Sequence, residues 1–145
     1  NYKDAPHFNE MAEWIEPLYR NCNFEYLTEV NLHFIEAINK FLGIDTEIRY
    51  SSEFELHEDK TQRLVNICKE LGATKYLSGS AAKAYMEPER FEKEEMEVEY
   101  FDYSGYPEYP QLHGEFEHGV TILDLIFNLG LESSTKLKYL QGERN

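Results

Sequence analysis

The stretch TEIRYSSEFELHEDKTQRLVNICKELGATKYLSGSAAKAYMEPERFEKEEMEVEYFDY (Thr46–Tyr103) decides the fold class. Its patterning alternates between strand and helix. TEIRYS (Thr46–Ser51) has the branched, aromatic and alternating character of a strand. DKTQRLVNICKELG follows with Leu64, Ile67, Cys68 and Leu71 at helical spacing, Asp59 as cap and Gly72 as stop. KYLSG (Lys75–Gly79) is a second short strand that runs into a Ser-Gly-Ser turn. SAAKAYM begins another helix, and Pro88 opens a further turn through PERFEKEE. In MEVEYFDY, alternation predicts a third strand with its glutamates on one solvated face. The order β-α-β-α-β with short connections implies a Rossmann-like parallel sheet with right-handed crossovers, in one α/β domain.

Such units take ligands at the carboxyl ends of their strands. Here those ends are Ser51-Ser52-Glu53, Ser78-Gly79-Ser80 and Asp102-Tyr103-Ser104. Two readings stand side by side. Ser78 and Gly79 at a helix start suit a phosphate or a sugar hydroxyl, with the Lys83 ammonium within reach of an anion there. The same residues also make tight turns and caps, and Lys83 also suits a solvated surface. Neither GxGxxG nor GxxxxGK[ST] occurs, so no standard dinucleotide or P-loop site is expected.

On either side of this unit the chain reads as helical. PHFNEMAEWIEPLYRN sets Phe8, Met11, Trp14, Ile15 and Leu18 on one face, with Pro17 bending or ending the segment. YLTEVNLHFIEAINKFLG sets Leu27, Val30, Phe34, Ile38 and Phe41 or Leu42 on one face and stops at Gly43. After the third strand, YSGYPEYPQLHGEFEHG (Tyr103–Gly119) holds three Tyr, two Pro, three Gly and two His, a composition for an ordered loop rather than a regular element. VTILDLIFNLG then predicts a helix capped by Thr121 and ended by Gly130, and the tail adds a last short helix ended by Gly142.

Composition narrows the function classes. The 145 residues carry 28 acidic against 14 basic side chains, a net charge of −14. Eleven of the acidic residues lie between Glu87 and Glu117, opposed only by Arg90 and Lys93. A chain of this balance does not bind nucleic acid through a basic surface, nor an anionic membrane. The acidic run is a solvated face or a carboxylate cluster for a cation. Cys22 and Cys68 lie in no metal-finger spacing, and a reducing cytoplasm is the expected compartment. No apolar run is long enough to span a bilayer.

Few residues offer chemistry outright. No GxSxG or activated cysteine occurs. His113 and His118 flank Glu115 and Glu117 in HGEFEH, but the spacing is not that of HExxH and Gly114 opposes a helix, so no metal is assigned. His33 sits beside an apolar face as a structural histidine, whereas His113, in the Tyr-rich loop, is placed to act as a base. Asp124 and Asn128 lie one helical turn apart and hold either the loop or a ligand.

Taken together, these residues resemble the C-terminal part of WbqC-like proteins. The resemblance is carried by Tyr76-Leu77-Ser78-Gly79, by Lys83 and Tyr85, and by Tyr109, Gln111-Leu112, Gly114 and Phe116. Asp124, Phe127, Asn128 and Gly130 continue it, and NYKDAPHF and RYSSEF extend it toward the start. The family's N-terminal His-Gln-Pro and paired-aspartate motifs have no counterpart here, and the chain starts at Asn1 rather than methionine, so a protein short of its first part is expected. The resemblance implies bacterial surface polysaccharide (O-antigen) biosynthesis, with acyl or aminoacyl transfer to an amino-sugar. The partner would be a small molecule: a sugar, a nucleotide-sugar or an acyl donor. His113 and Asp124 would be catalytic, and Ser78, Gly79, Lys83, Tyr109, Gln111 and Asn128 would bind substrate. The alternative is a binding or accessory module without turnover, or an inactive fragment. No particular cofactor or oligomeric state is implied.

Overall fold

The computed structural model describes residues 1–55 and 57–137. The chain divides into two compact units, Asn1–Thr46 with Gly105–Asn145, and Glu47–Ser104. Among the described residues there are five α-helices and one two-stranded parallel sheet. No helix among them is long and apolar enough to cross a membrane.

The first unit is helical. Helix α1 (Phe8–Arg20) buries Met11 and Ile15. It runs through Pro17 without ending, at the cost of the amide that would have bonded the Glu13 carbonyl. Helix α2 (Leu27–Leu42) starts with the Glu29 carboxylate accepting the Tyr26 amide at 3.2 Å and stops at Gly43, whose φ of 73° is the left-handed form that glycine adopts without cost. Trp14 meets Phe41 at 4.6 Å between ring centres, and Tyr19 meets Phe34 at 4.8 Å. His33 is structural, its Nε2 lying 3.0 Å from the Leu18 carbonyl oxygen. Leu27, expected on the inward face, is instead 73% exposed.

Helix α5 (Ile122–Leu129) is the centre of this unit. The hydroxyl of Thr121 accepts the Leu123 amide at 3.0 Å, and Asp124 through Asn128 are all buried. Ile126 and Phe127 pack with Ala5, Met11 and Ile15. The rings of Tyr2 and Phe8 stack on Phe127 at 5.0 and 5.7 Å, and the His7 amide donates to the Phe127 carbonyl at 3.1 Å. A 3-10 helix, Gly130–Lys136, follows. The fully buried Ser133 hydroxyl donates back to the Gly130 carbonyl at 2.6 Å and anchors that turn. The expected stop at Gly142 lies outside the described residues.

The second unit holds the sheet. Asp59 caps α3 (Lys60–Glu70), its Oδ1 accepting the Gln62 amide at 2.8 Å. Strands β1 (Lys75–Ser78) and β2 (Glu97–Tyr100) pair in parallel from Lys75↔Glu97 to Ser78↔Tyr100, joined through α4 (Pro88–Glu92). Phe91 is fully buried, stacks on Tyr76 at 5.0 Å and packs with Val65, Cys68, Ala82, Met86 and Met96. The alternation of EVEY holds: Val98 and Tyr100 face this core, while Glu97 and Glu99 face water and pair with Lys75 at 3.5 and 2.9 Å.

The expected three-stranded Rossmann-like unit is reduced to two strands. Thr46–Ser51 makes no sheet. Its polar groups are used locally: the Glu53 carboxylate accepts the Tyr50 amide at 2.7 Å and the Arg49 guanidinium at 2.6 Å, which closes the 3-10 turn Ser51–Glu53. Such side-chain bonding competes with a ladder for the same amides. Ser80–Ala84, expected as an α-helix, is likewise a 3-10 turn.

Gly130 supplies a test of this packing. Its φ of 53° and ψ of −130° suit glycine, and a Cβ there would lie 2.6 Å from Nδ1 of His7. Gly130→Ala is expected to destabilise the protein by roughly 2–3 kcal/mol, read from the midpoint of urea unfolding. Adding His7→Ala removes the clash but not the backbone strain, so it restores part of the loss.

Candidate functional site

In the second unit, Ser78, Gly79 and Lys83 lie at the carboxyl end of β1. Ser78 is 9% exposed, and its carbonyl accepts the Phe101 amide at 2.8 Å. A Cβ on Gly79 would meet nothing within 4 Å, so the turn is open on that side. Lys83 carries its ammonium 4.9 Å over the ring of Tyr100, whose hydroxyl in turn points at Met86 sulfur at 3.8 Å. This cation–π contact sets the exposed Lys83 beside the end of β2. The end expected for the first strand, Ser51-Ser52-Glu53, is the 3-10 turn described above. A polar hollow of about 420 Å³ in this unit is lined by Gln62, Glu87, Glu89, Arg90, Lys93 and Glu94, and none of the expected site residues lines it.

In the first unit, the loop before α5 is held by a side-chain network. Asp124 stands in the first turn of α5 and is 7% exposed. A carboxylate is costly to bury, and two features compensate it. The helix start favours negative charge. Asp124 Oδ2 also accepts from the Tyr109 hydroxyl at 2.8 Å and from Gln111 Nε2 at 3.1 Å. Gln111 does more. Its Nε2 donates to the Glu117 carbonyl at 3.0 Å, and its Oε1 accepts the Glu117 amide at 2.9 Å. The side-chain amide thus pairs with the N–H and C=O of one residue as a neighbouring strand would, and it pins the two feet of the Leu112–Phe116 turn together. Tyr109 packs edge-on against Phe116 at 5.1 Å, and Phe116 against His118 at 4.7 Å. Lys136 donates to the Glu108 carbonyl at 3.0 Å from the far side of the loop.

His113 is exposed on the turn that Gln111 closes. Asn128 does not reach the loop: its Nδ2 donates to the Asp124 main-chain carbonyl at 2.8 Å, one turn back along its own helix. Among the described residues, no three His, Cys, Asp or Glu side chains converge as metal ligands. Tyr2 is the site residue that sequence reasoning missed. Its phenol lies beside Asp124, and burial first, then the Asp124 charge, pushes it above the usual tyrosine range. No spacing rule links position 2 to position 124; the packing of the first residues on Phe127 brings them together. Burial, and then its contacts to Asp124, push the Tyr109 phenol up to about 12, with the Gln111 bond opposing. Tyr109 is therefore a neutral donor at ordinary pH, not a base.

These pKa shifts have a sign that can be tested. A phenol whose pKa is raised on folding adds stability fully present below its unfolded value of about 10, lost as pH rises through the folded value. Stability should therefore fall between about pH 10 and pH 12 as Tyr109 ionises. Asp124→Asn removes the charge but not the burial, so tyrosinate absorbance in that variant should show Tyr109 titrating lower. Gln111→Glu replaces the donor facing Asp124 by a second carboxylate and should open the loop, seen as faster proteolysis between Leu112 and Phe116.

The sequence profile of the WbqC-like protein family matches residues 1–136. A protein of Mycobacterium tuberculosis (strain ATCC 25618 / H37Rv), "Uncharacterized protein Rv1507c", is 42% identical over 139 residues, covering 96% of this chain. The chain spans 60% of that relative's length. No solved structure matches it. With the profile covering nearly the whole sequence, the chain belongs to the WbqC-like protein family.

Proposed function

We propose that the chain forms part of a WbqC-like enzyme of bacterial surface polysaccharide biosynthesis, which transfers an acyl or aminoacyl group to an amino-sugar or nucleotide-sugar. The observation that carries this reading is the Tyr109–Gln111–Asp124 network, which shapes a loop and leaves His113 exposed on it. In this chemistry the sugar amine attacks the donor carbonyl, a C–N bond forms and the donor's leaving group departs. His113 takes the proton released by the amine. Asp124 acts through Tyr109 and Gln111, because its Oδ2 already holds both. Tyr109 and Gln111 line the loop that meets the substrate, and Asn128 supports Asp124 along the helix. In the second unit, Ser78, Gly79 and Lys83 suit a phosphate or sugar hydroxyl in their own right. The cytoplasm is the proposed compartment, in keeping with the free thiols Cys22 and Cys68.

A second reading is favoured by the same network. With Asp124 occupied by protein donors and Tyr109 held neutral, the loop also suits a module that binds a sugar without turnover. The two readings separate on activity. In a protein carrying the family's full length, His113→Ala should reduce turnover by about a hundredfold or more while substrate affinity is retained. Gln111→Ala and Asp124→Ala should lower both. Unchanged product formation in all three variants would sink the enzyme. Binding that follows the loop, with no turnover in the parent, supports the module. A thermal-shift screen of nucleotide-sugars and acyl donors identifies the ligand, since a true one raises the midpoint with its concentration.

A further inference from the structure

The polar hollow of about 420 Å³ in the sheet unit holds two opposite charges that the protein leaves unpaired. Its lining comes from Gln62 of α3 and from Glu87, Glu89, Arg90, Lys93 and Glu94, on α4 and just past its ends. Most of these groups answer one another. Arg90 donates to Glu87 at 3.0 and 3.1 Å and to Asp59 at 3.1 Å, and Glu94 pairs with Lys69 at 2.6 Å. Glu89 and Lys93 do not: among the described residues, neither makes an ion pair. A glutamate four residues before a lysine is the order that pairs best along a helix, and here the two stay apart. Gln62 donates from Nε2 to Asn66 at 2.9 Å, and its Oε1 has no partner among the described residues.

The backbone under these groups is fixed. Phe91 and Met96 are buried, and the Met96 amide donates to the Phe91 carbonyl at 3.0 Å, closing the turn that carries Lys93 and Glu94. Glu95 completes that turn at a φ of 58°, a left-handed form that a residue other than glycine keeps only where its surroundings hold it. Arg90, bonded to both Glu87 and Asp59, makes a stiff wall. The charges then narrow the ligand. An apolar molecule finds no apolar residue in the lining. A phosphate or other plain anion meets three carboxylates. A metal ion lacks its ligands, since no three His, Cys, Asp or Glu side chains converge among the described residues. A small molecule that carries an ammonium and a carboxylate together answers both unpaired groups. We propose that the hollow binds a free α-amino acid, with its ammonium on Glu89 and the Gln62 side-chain carbonyl and its carboxylate on Lys93. The proposal goes beyond the transfer reaction and stands whether or not the chain turns over a sugar.

The test titrates the isotope-labelled 145-residue chain with L-alanine and follows its backbone amides by NMR. Saturable shifts at millimolar concentration are expected at Gln62 and between Glu87 and Glu94. Glu89→Gln and Lys93→Gln should each weaken binding about tenfold or more, because each removes one of the two charged contacts. Both side chains are exposed and unpaired, so the melting midpoint of either variant should stay with that of the parent. Glu92→Gln removes the same charge from the same helix outside the hollow and should bind as the parent does. Three results would each overturn the proposal. One is the absence of a saturable shift with L-alanine. Another is unchanged affinity in both Glu89→Gln and Lys93→Gln. The third is a response of the same size to ammonium acetate, the sign of a salt effect alone.

Discussion

A carboxylate buried in the first turn of a helix has to be answered by donors, and at Asp124 that requirement organises the loop around it. Thr121 and the helix start fix where Asp124 sits; the cost of burying its charge then recruits Tyr109 and Gln111. Once Gln111 is committed to Asp124, its remaining hydrogen-bonding capacity is spent on the Glu117 peptide, which sets the path of the turn. Tyr109 fixes Phe116, and Phe116 fixes His118. A loop of prolines, glycines and tyrosines with no ladder of its own thus gains a defined shape from one ionised group.

Much of the fold was legible because its signals are local. The face of α1, the Gly43 stop of α2, the Asp59 cap of α3, the alternation of β2 and the Thr121 cap of α5 each depend on residues a few positions apart. The first expected strand is absent for a related reason. TEIRYS has strand composition, but Glu53 lies close enough to bond Tyr50 and Arg49, and a local bond forms without the entropy cost of closing a long loop.

The site was legible in its residues and not in their roles. The family pattern pointed to Tyr109, Gln111, Asp124 and Asn128, and three of these meet. That Asn128 turns to its own helix, that Gln111 bonds a peptide group six residues on, and that Tyr2 approaches Asp124 are tertiary facts without a spacing rule. The Lys83 contact with Tyr100 is of the same kind, since pairing β1 with β2 is what brings a turn after one strand beside the end of the other.

The division of the chain also has a consequence for biosynthesis. The sheet unit is one continuous piece, Glu47–Ser104, whereas the helical unit is made from the two ends that flank it. A ribosome therefore delivers everything the sheet unit needs well before α5 emerges, and Phe8, Met11 and Ile15 wait for Ile126 and Phe127 to cover them. During that interval the first helices of this chain expose their inward faces, apolar surface of the kind chaperones bind. The same dependence makes a late truncation before Val120 far more damaging than its length suggests, because it removes the centre of a core whose other half has already been made.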